Sequence, residues 1–300
     1  MDLMSLLNCF TNPSALVVQI INSLIIAMVL FLVASGLSLI LGVMGVMNFA
    51  HGSLFMIGAY LTYSVMSYIG YFGIAMILVP IGVGILGVIL ERIFIRRVYG
   101  LDQLYQLLLT YAFILVFDDV VKIIWGSFDL SVAMPSTFRQ PPVFILEAPV
   151  PVYYIYLIVV GILLAGGMHL LIEKTKFGKI IRAAAMDPEM LMCVGINVPL
   201  VYTGVFALGS FLAGLGAIMA APLRPMSPGM GLAVIIESLV IVVIGGMGNI
   251  LGTFAVALIF GFMRSFGILG FPSFEMVFIY VLMAVVLIIR PTGLFGRVKA

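Results

Sequence analysis

The fold is decided by the uncharged segment LVVQIINSLIIAMVLFLVASGLSLILGVMG, residues 16–45, which is longer than the run of about 20 apolar residues that crosses a bilayer. Comparable segments recur along the 300 residues, of which 64% are hydrophobic and 9% are charged. A soluble domain carries about 25% charged residues, so this chain could not cover a surface that faces water. Because lipid requires backbone hydrogen bonds to be satisfied within a segment, the sequence predicts an all-α, polytopic transmembrane helical bundle.

The apolar segments predict eight or nine membrane spans. They lie near 15–35, 48–68, 73–95, 103–125, 152–172, 199–221, 232–248, 251–270 and 274–290. Residues 36–47 are too short to cross, and they predict a broken or re-entrant helix near 36–52. Residues 43–53 are similar to residues 243–253, which predicts a weak internal repeat.

Basic residues form three clusters, which predict the orientation. The clusters are Arg92, Arg96 and Arg97; Lys174, Lys176, Lys179 and Arg182; and Arg290, Arg297 and Lys299. All three can lie on one face, which we expect to be cytoplasmic, with residues 126–151 and the N-terminus outside.

The net charge of +2 gives no basic surface for nucleic acid. Cys9 and Cys193 have no metal-ligand spacing and fall on opposite faces, so we predict no metal and no cofactor.

Polar residues interrupt the apolar region in VMNFAHGSLFMIGAY, residues 46–60. Asn48 and His51 are costly in lipid, and Gly52 loosens the helix, so these residues should face a pathway or a helix contact. One interpretation is a broken helix that lines the translocation route. The other is a buried Asn/His network that only fixes packing. A metal site at His51 is disfavoured because His169 is the sole other histidine.

The longest polar stretch on the predicted cytoplasmic face is KTKFGKIIRAAAMDPEMLMCVGINVPL, residues 174–200. Asp187, Pro188 and Glu189 have the pattern of a helix N-cap, first position and first-turn acid. Gly195 can end that helix in a left-handed turn. The resulting short helix is either a capped connector or a docking element for a cytoplasmic partner.

Four segments resemble one known family. RAAAMDPEMLMCVGIN resembles the ATPase-coupling loop of permeases in branched-chain amino-acid-type ABC importers. VMNFAHGSLFMIGAYL, VIGGMGNILGTFAVALIFG and IIRPTGLFG are similar to three further signatures of that family, in the same order. The resemblance covers roughly residues 25–297, and the length fits the shorter of the two permeases in such importers.

The resemblance implies a single transmembrane permease domain over residues 1–300 with a cytoplasmic coupling loop at 174–198. The coupling residues would be Arg182, Ala183, Ala185, Asp187, Pro188, Glu189 and Gly195. The substrate pathway would include Asn48, His51, Gly52, Glu237, Gly245, Gly246, Gly248 and Asn249.

The resemblance also implies a multi-pass protein of a bacterial or archaeal plasma membrane that works in a complex. Its partners would be a second homologous permease, two cytoplasmic ATP-binding subunits and an extracytoplasmic binding protein. The chain has no P-loop, so we expect no ATP hydrolysis by this subunit. Many family members have a lysine before the glycine-rich signature, where this chain has Glu237 and Ser238. The substrate therefore stays open among branched-chain and other amino acids, amides and urea.

Two other classes of function compete with this interpretation. A secondary transporter driven by ions or protons would use intramembrane ionisable groups as a relay. Its candidate residues are His51, Asp118, Asp119, Glu237 and Arg264, although Asp118 and Asp119 should lie near a water-exposed helix end. An intramembrane enzyme is disfavoured because no HExxH or GxSxG motif is present.

Overall fold

The computed structural model describes residues 10–270, 274–290 and 293–296. Over these ranges the chain is mostly helical, with two short strands. The helices are α1 (Pro13–Met44), α2 (His51–Tyr68), α3 (Phe72–Ile93), α4 (Gln103–Trp125), α5 (Val152–Lys174), α6 (Lys176–Met186), α7 (Pro188–Cys193), α8 (Val198–Ala220), α9 (Met230–Gly245), α10 (Ile250–Gly270) and α11 (Glu275–Ile289). The strands β1 (Val143–Ile145) and β2 (Ala148–Val150) form an antiparallel hairpin, which the sequence did not predict.

The first helix corrects the predicted boundary at residue 36. Residues 13–44 form one continuous helix of 32 residues, so the prediction that 36–47 is a separate short piece is wrong. Gly36 and Gly42 do not interrupt the helix, because the segment around them is apolar and its tertiary packing outweighs the weak helix propensity of glycine. It ends at Gly45, whose φ of 65° is the left-handed conformation of a helix C-cap.

The core of the bundle is α1, which packs against α8 on one side and α10 on the other. Gly36 and Gly209 face each other so closely that a β-carbon on Gly36 would lie 2.5 Å from Gly209 O. On the other side, a β-carbon on Gly261 would lie 2.9 Å from Ala27 Cβ. These contacts confirm that the small residues of the later spans let helix backbones approach, as membrane bundles require.

The two ends of the bundle differ in charge. Arg96 Nη2 donates to Thr203 Oγ1 at 2.7 Å, which places the first basic cluster beside the start of α8 and the 174–198 loop. We call this the basic end. Leu130 pairs with Met226 beyond the far end of α8, so the loop that carries the β-hairpin lies at the opposite end, the hairpin end. Arg297, Lys299 and Cys9 lie outside the described residues.

Five helices in the described residues are long and apolar enough to cross a membrane by themselves. They are Pro13–Met44, Phe72–Ile93, Val152–Lys174, Val198–Ala220 and Ile250–Gly270. Met230–Gly245 and Ile279–Ile289 are shorter apolar helices. The chain is therefore a polytopic helical membrane protein, while the count of eight or nine spans and the internal repeat stay predictions.

Candidate functional site

The chain turns back into the bundle between α1 and α2. Residues 45–50 are not helical, and α2 begins at His51, whose Nε2 donates to Val33 O at 3.1 Å. Val33 lies eleven residues before the end of α1, so at 1.5 Å per residue α2 begins about 16 Å inside that end. The predicted break in the helix thus lies at 45–50, and it places the start of α2 within the bundle.

Several polar side chains at this break are buried. Asn48 is 1% exposed and His51 is fully buried. Among the described residues, both amide atoms of Asn48, Nδ1 of His51 and Oγ of Ser53 have no hydrogen-bond partner. Burying such groups without partners costs about 1–3 kcal/mol each, so this region favours water or a bound solute. A packing network of Asn48 and His51 would require a hydrogen bond between their side chains. The described structure has no such bond.

Gly52 brings a second helix start to the same place. A β-carbon on Gly52 would overlap Gly231 O and lie 2.8 Å from Ile235 Cβ. A β-carbon on Gly231 would lie 3.0 Å from Ser53 N in return. The first turns of α2 and α9 therefore cross with their backbones in contact.

Glu237 lies two turns further along α9 and forms an ion pair with Arg264 on α10. Glu237 Oε1 accepts a hydrogen bond from Arg264 Nη1 at 2.7 Å. The side chain of Glu237 is 6% exposed and that of Arg264 is 20% exposed. Arg224, in the turn after α8, is a third charge of this region, and its guanidinium lies 5.6 Å from the ring centroid of Phe55 on α2. The sequence analysis did not single out Arg224 as a site residue.

The five relay candidates of a secondary transporter do not form a hydrogen-bonded chain in the described part of the molecule. Asp119 is exposed and pairs with Lys122 at 3.0 Å, as expected for a water-exposed helix end. Asp118 is partly buried instead, and its Oδ2 would lie 3.8 Å from a β-carbon on Gly229. His51 bonds to the backbone of Val33, which leaves Glu237 and Arg264 as the one joined pair.

The glycine-rich signature forms the turn from α9 to α10 at the basic end. Gly246 and Gly248 have φ values of 89° and 79°, which favour glycine. Gly252 N donates to Asn249 Oδ1 at 3.0 Å, which caps the start of α10. A β-carbon on Gly245 would lie 2.8 Å from Thr253 N, so this glycine lets the two helices meet. The predicted pathway residues thus divide into an interior group and this turn.

The predicted coupling loop contains two helices. Thr175 starts α6, because Gly178 N donates to Thr175 Oγ1 at 3.1 Å; this helix was not predicted. Asp187 starts α7 through Met190 N, which donates to Asp187 Oδ1 at 2.9 Å, with Pro188 at the first helical position. Gly195 follows the helix with a φ of 86°. The predicted start and end of the short helix are therefore confirmed.

The other predicted coupling residues lie on and beside these helices. Arg182 on α6 donates to Ile172 O and, at 3.1 Å, to Glu173 Oε2, which ties α6 back to the end of α5. Ala183 and Ala185 are partly buried on α6, and Glu189 is exposed on α7. The loop is therefore held against α5 on its inner side.

Exposed apolar side chains surround α7 in the isolated chain. Their exposed fractions are 86% for Met186 at the end of α6, 64% for Met190 and 51% for Met192 on α7, and 72% for Val194 directly after it. Leu191 is buried and anchors the helix to the bundle. Exposed methionine clusters are typical of adaptable protein-binding surfaces, so this surface is suited to contact a partner.

A buried charged network behind the coupling loop was missed by the sequence analysis. Glu91 is fully buried near the end of α3 and accepts from Arg96 Nε at 3.2 Å and from the hydroxyl groups of Tyr99 and Thr203, each at 2.8 Å. Thr203 lies on α8 directly after the loop. The available signal was Glu91, an acidic residue inside the apolar stretch GVILERIFIRR. Only the arginines of that stretch entered the prediction of the orientation.

No metal centre is evident in residues 10–270, 274–290 and 293–296, where no three His, Cys, Asp or Glu side chains lie close enough to hold an ion. A polytopic helical bundle with unpartnered polar groups in its interior, two helices that start inside it and a capped helix at one end has the features of a membrane permease. The model of one family, described as branched-chain amino acid transport system / permease component, matches residues 19–287. The chain belongs to this family.

Individual relatives agree with the family match. The chain is 27% identical to a high-affinity branched-chain amino acid transport system permease protein, BraD, of Pseudomonas aeruginosa, over 93% of this chain and 95% of the relative. It is 26% identical to the corresponding LivH protein of Escherichia coli K12, over 93% and 95% of the two chains. A ribose import permease protein of Haemophilus influenzae, RbsC, is 30% identical over 41% of this chain and 38% of the relative. No solved structure matches.

Proposed function

We propose that this chain is the permease subunit of an ABC importer and forms part of the pathway for branched-chain amino acids or related small polar solutes. The family match and the names of the relatives support the solute class. The interior group of Asn48, His51, Gly52 and Glu237 is the proposed pathway lining. Asn48 and His51 hold buried polar atoms that have no hydrogen-bond partner among the described residues, and such atoms inside a membrane bundle require water or solute.

The observation that carries the proposal is α7 with its exposed methionine surface. This helix is fixed to the bundle by Leu191 and is continuous through short turns with α6 and α8. A shift of α7 would therefore move α8, which packs against α1, α2 and α3. We assign α7 as the docking element for a cytoplasmic ATP-binding subunit. A second homologous permease, a second ATP-binding subunit and an extracytoplasmic binding protein complete the proposed complex.

The coupling role predicts that variants at the ends of α7 lose uptake without losing assembly. Loss of an N-cap costs about 1 kcal/mol, so Asp187→Ala should lower ATP-driven uptake by about fivefold. A non-glycine residue at positive φ costs about 1–3 kcal/mol, so Gly195→Val should lower uptake by about fivefold to a hundredfold. The measurement is uptake of leucine, leucinamide and urea by the reconstituted complex with loaded binding protein, alongside ATP hydrolysis. We expect hydrolysis to continue with weaker stimulation by the binding protein.

Matched controls exist elsewhere in the chain. Asp102→Ala removes the N-cap of α4, where Leu104 N donates to Asp102 Oδ1 at 2.9 Å. Gly126→Val places the same strain at a φ of 92° with no atom within 4 Å of its β-carbon. Both controls impose the same local costs outside the coupling loop, so they should keep uptake within about twofold if those costs reduce uptake only through α7. Equal uptake losses in controls and α7 variants would refute the coupling role.

The orientation gives a second prediction. If the basic end is cytoplasmic, an impermeant thiol reagent applied to intact cells should label Gln140→Cys but not native Cys193, with Cys9 replaced by serine in both proteins. Both positions are exposed in the isolated chain, so accessibility alone would allow labelling of each. Labelling of Cys193 in intact cells would reverse the orientation.

A further inference from the structure

An ion pair and a third charge meet at mid-depth in the bundle. Gly261 packs against Ala27, near the midpoint of α1, and Arg264 lies one turn further along α10. Arg264 and Glu237 are therefore held within the membrane region, where charged side chains are costly and usually mark a solute or ion pathway. Glu237 Oε1 and Arg264 Nη1 lie 2.7 Å apart.

Arg224 gives this region a positive excess. Leu223 and Ser265, the chain neighbours of Arg224 and Arg264, line the same cavity, so Arg224 lies near the ion pair. We call Arg224, Glu237 and Arg264 the arginine cluster. Arg224 is exposed and lies over the face of the buried Phe55 ring, which attracts a cation and fixes its position. The Arg224 guanidinium is thus held beside an apolar surface.

The chain next to both arginines borders a cavity. Leu223 and Ser265, the neighbours of Arg224 and Arg264, line a cavity of about 280 Å³ together with Gln19 and Asn22 of α1. The cavity lies in the half of the bundle that faces the hairpin end, because Gln19 and Asn22 belong to the first third of α1. A small solute entering from the hairpin end would meet this region before the basic end.

The start of α2 adds to the preference for an anion. Its first backbone N–H groups lie inside the bundle, where a helix N-terminus carries about half a positive charge. The unpartnered amide of Asn48 precedes it. Asp118 Oδ2 already faces the start of α9 near Gly229, so α9 contributes less.

We propose that Arg224 and Arg264 bind the carboxylate of the transported solute as it passes, and that Phe55 holds the Arg224 guanidinium in position. This inference rests on the proposed function and narrows its solute class to carboxylates over amides and urea. A guanidinium presents a planar pair of donors that matches a carboxylate, and Glu237 holds Arg264 in place for that contact. Glu237 is a positioning residue in this arrangement.

The test measures uptake by the reconstituted complex with loaded binding protein for leucine and for leucinamide, which lacks the carboxylate. Arg224→Gln should lower leucine uptake roughly tenfold or more, as expected when a charged hydrogen-bond partner is lost, and leave leucinamide uptake within about twofold. Arg224→Lys keeps the positive charge but lacks the paired N–H donors of a guanidinium. Its leucine uptake should therefore lie between that of Arg224→Gln and that of the wild type. Arg139→Gln removes an exposed arginine at the hairpin end and should change the uptake of neither solute.

Removing Arg264 alone leaves Glu237 buried without its cation and can prevent folding. The double variant Glu237→Gln with Arg264→Gln removes both charges and keeps the positive excess at Arg224. We expect it to assemble and to lose leucine uptake selectively.

A second measurement reports the local charge without transport. In a protein whose native cysteines are replaced by serine, Leu223→Cys should react faster with an anionic methanethiosulfonate than with a cationic one. Adding Arg224→Gln should lower that rate ratio several-fold, as a nearby unit charge predicts. Adding Arg139→Gln should not.

Selective loss of leucine uptake together with the change in rate ratio would support the carboxylate site. Wild-type leucine uptake in Arg224→Gln, or equal loss of leucine and leucinamide with an unchanged rate ratio, would overturn it. A wild-type complex that imports no solute with ATP would instead refute the proposed function, whatever the rate ratio shows.

Discussion

Replacing Gly52 with alanine is expected to destabilise the protein by about 3 kcal/mol, roughly a hundredfold in the ratio of folded to unfolded protein. The added β-carbon would overlap Gly231 O and press on Ile235. Neither contact can be relieved by a rotamer change, because one partner is backbone and the other is a β-carbon of a buried helix. The first turns of α2 and α9 would have to separate.

The measurement is the thermal unfolding midpoint of the detergent-solubilised protein and the yield of monodisperse protein. Gly166→Ala is the matched control, since this glycine is also inside a long helix but has no atom within 4 Å of its β-carbon. The control should be neutral or slightly stabilising, as alanine is the better helix former. Equal midpoints for the two variants would show that α2 and α9 do not cross at these glycines.

Replacing Glu91 with alanine is expected to cost about 3 kcal/mol, the range for breaking a buried charged pair. The change removes the acceptor of three side chains, those of Arg96, Tyr99 and Thr203. Arg96 is partly exposed and can turn to water, whereas the hydroxyl of Thr203 is held inside the bundle. The loss should loosen α8 at the point where the coupling loop enters it.

Two further variants serve as comparisons, one at Glu91 and one at an exposed ion pair. Glu91→Gln keeps the size and one acceptor, so its unfolding midpoint should fall between those of Glu91→Ala and the wild type. Asp119→Ala breaks the exposed pair with Lys122 and should cost no more than about 1 kcal/mol. If Glu91→Ala unfolds at the same temperature as Asp119→Ala, the network does not stabilise the basic end.

The sequence predicted well wherever the signal is local. The start of α7 follows from Asp187 and Pro188, because an N-cap and a first-position proline act within one turn. Its end follows from Gly195, since few other residues adopt a φ of 86°. The membrane class and the family follow from composition and motif order, which need no contacts at all.

The predicted break near 36–52 shows where local signals stop. Asn48, His51 and Gly52 marked the right region, but the predicted first span ended at residue 35, one residue before Gly36. In the structure Gly36 is instead a contact point for Gly209 on α8. A glycine that breaks a helix and one that admits a neighbouring backbone look the same in a single sequence.

The sequence by itself determined that the chain lies in a membrane, that it is helical, which family it belongs to and where its short helices are capped. These properties depend on composition and on neighbours a few residues apart. Only the tertiary structure decided that α2 and α9 begin inside the bundle and cross at Gly52 and Gly231, that Glu91 bonds to Thr203 and that Glu237 pairs with Arg264. The partners in these three contacts are separated by 179, 112 and 27 residues along the chain. Their proximity depends on how the helices pack, and no local pattern encodes that packing.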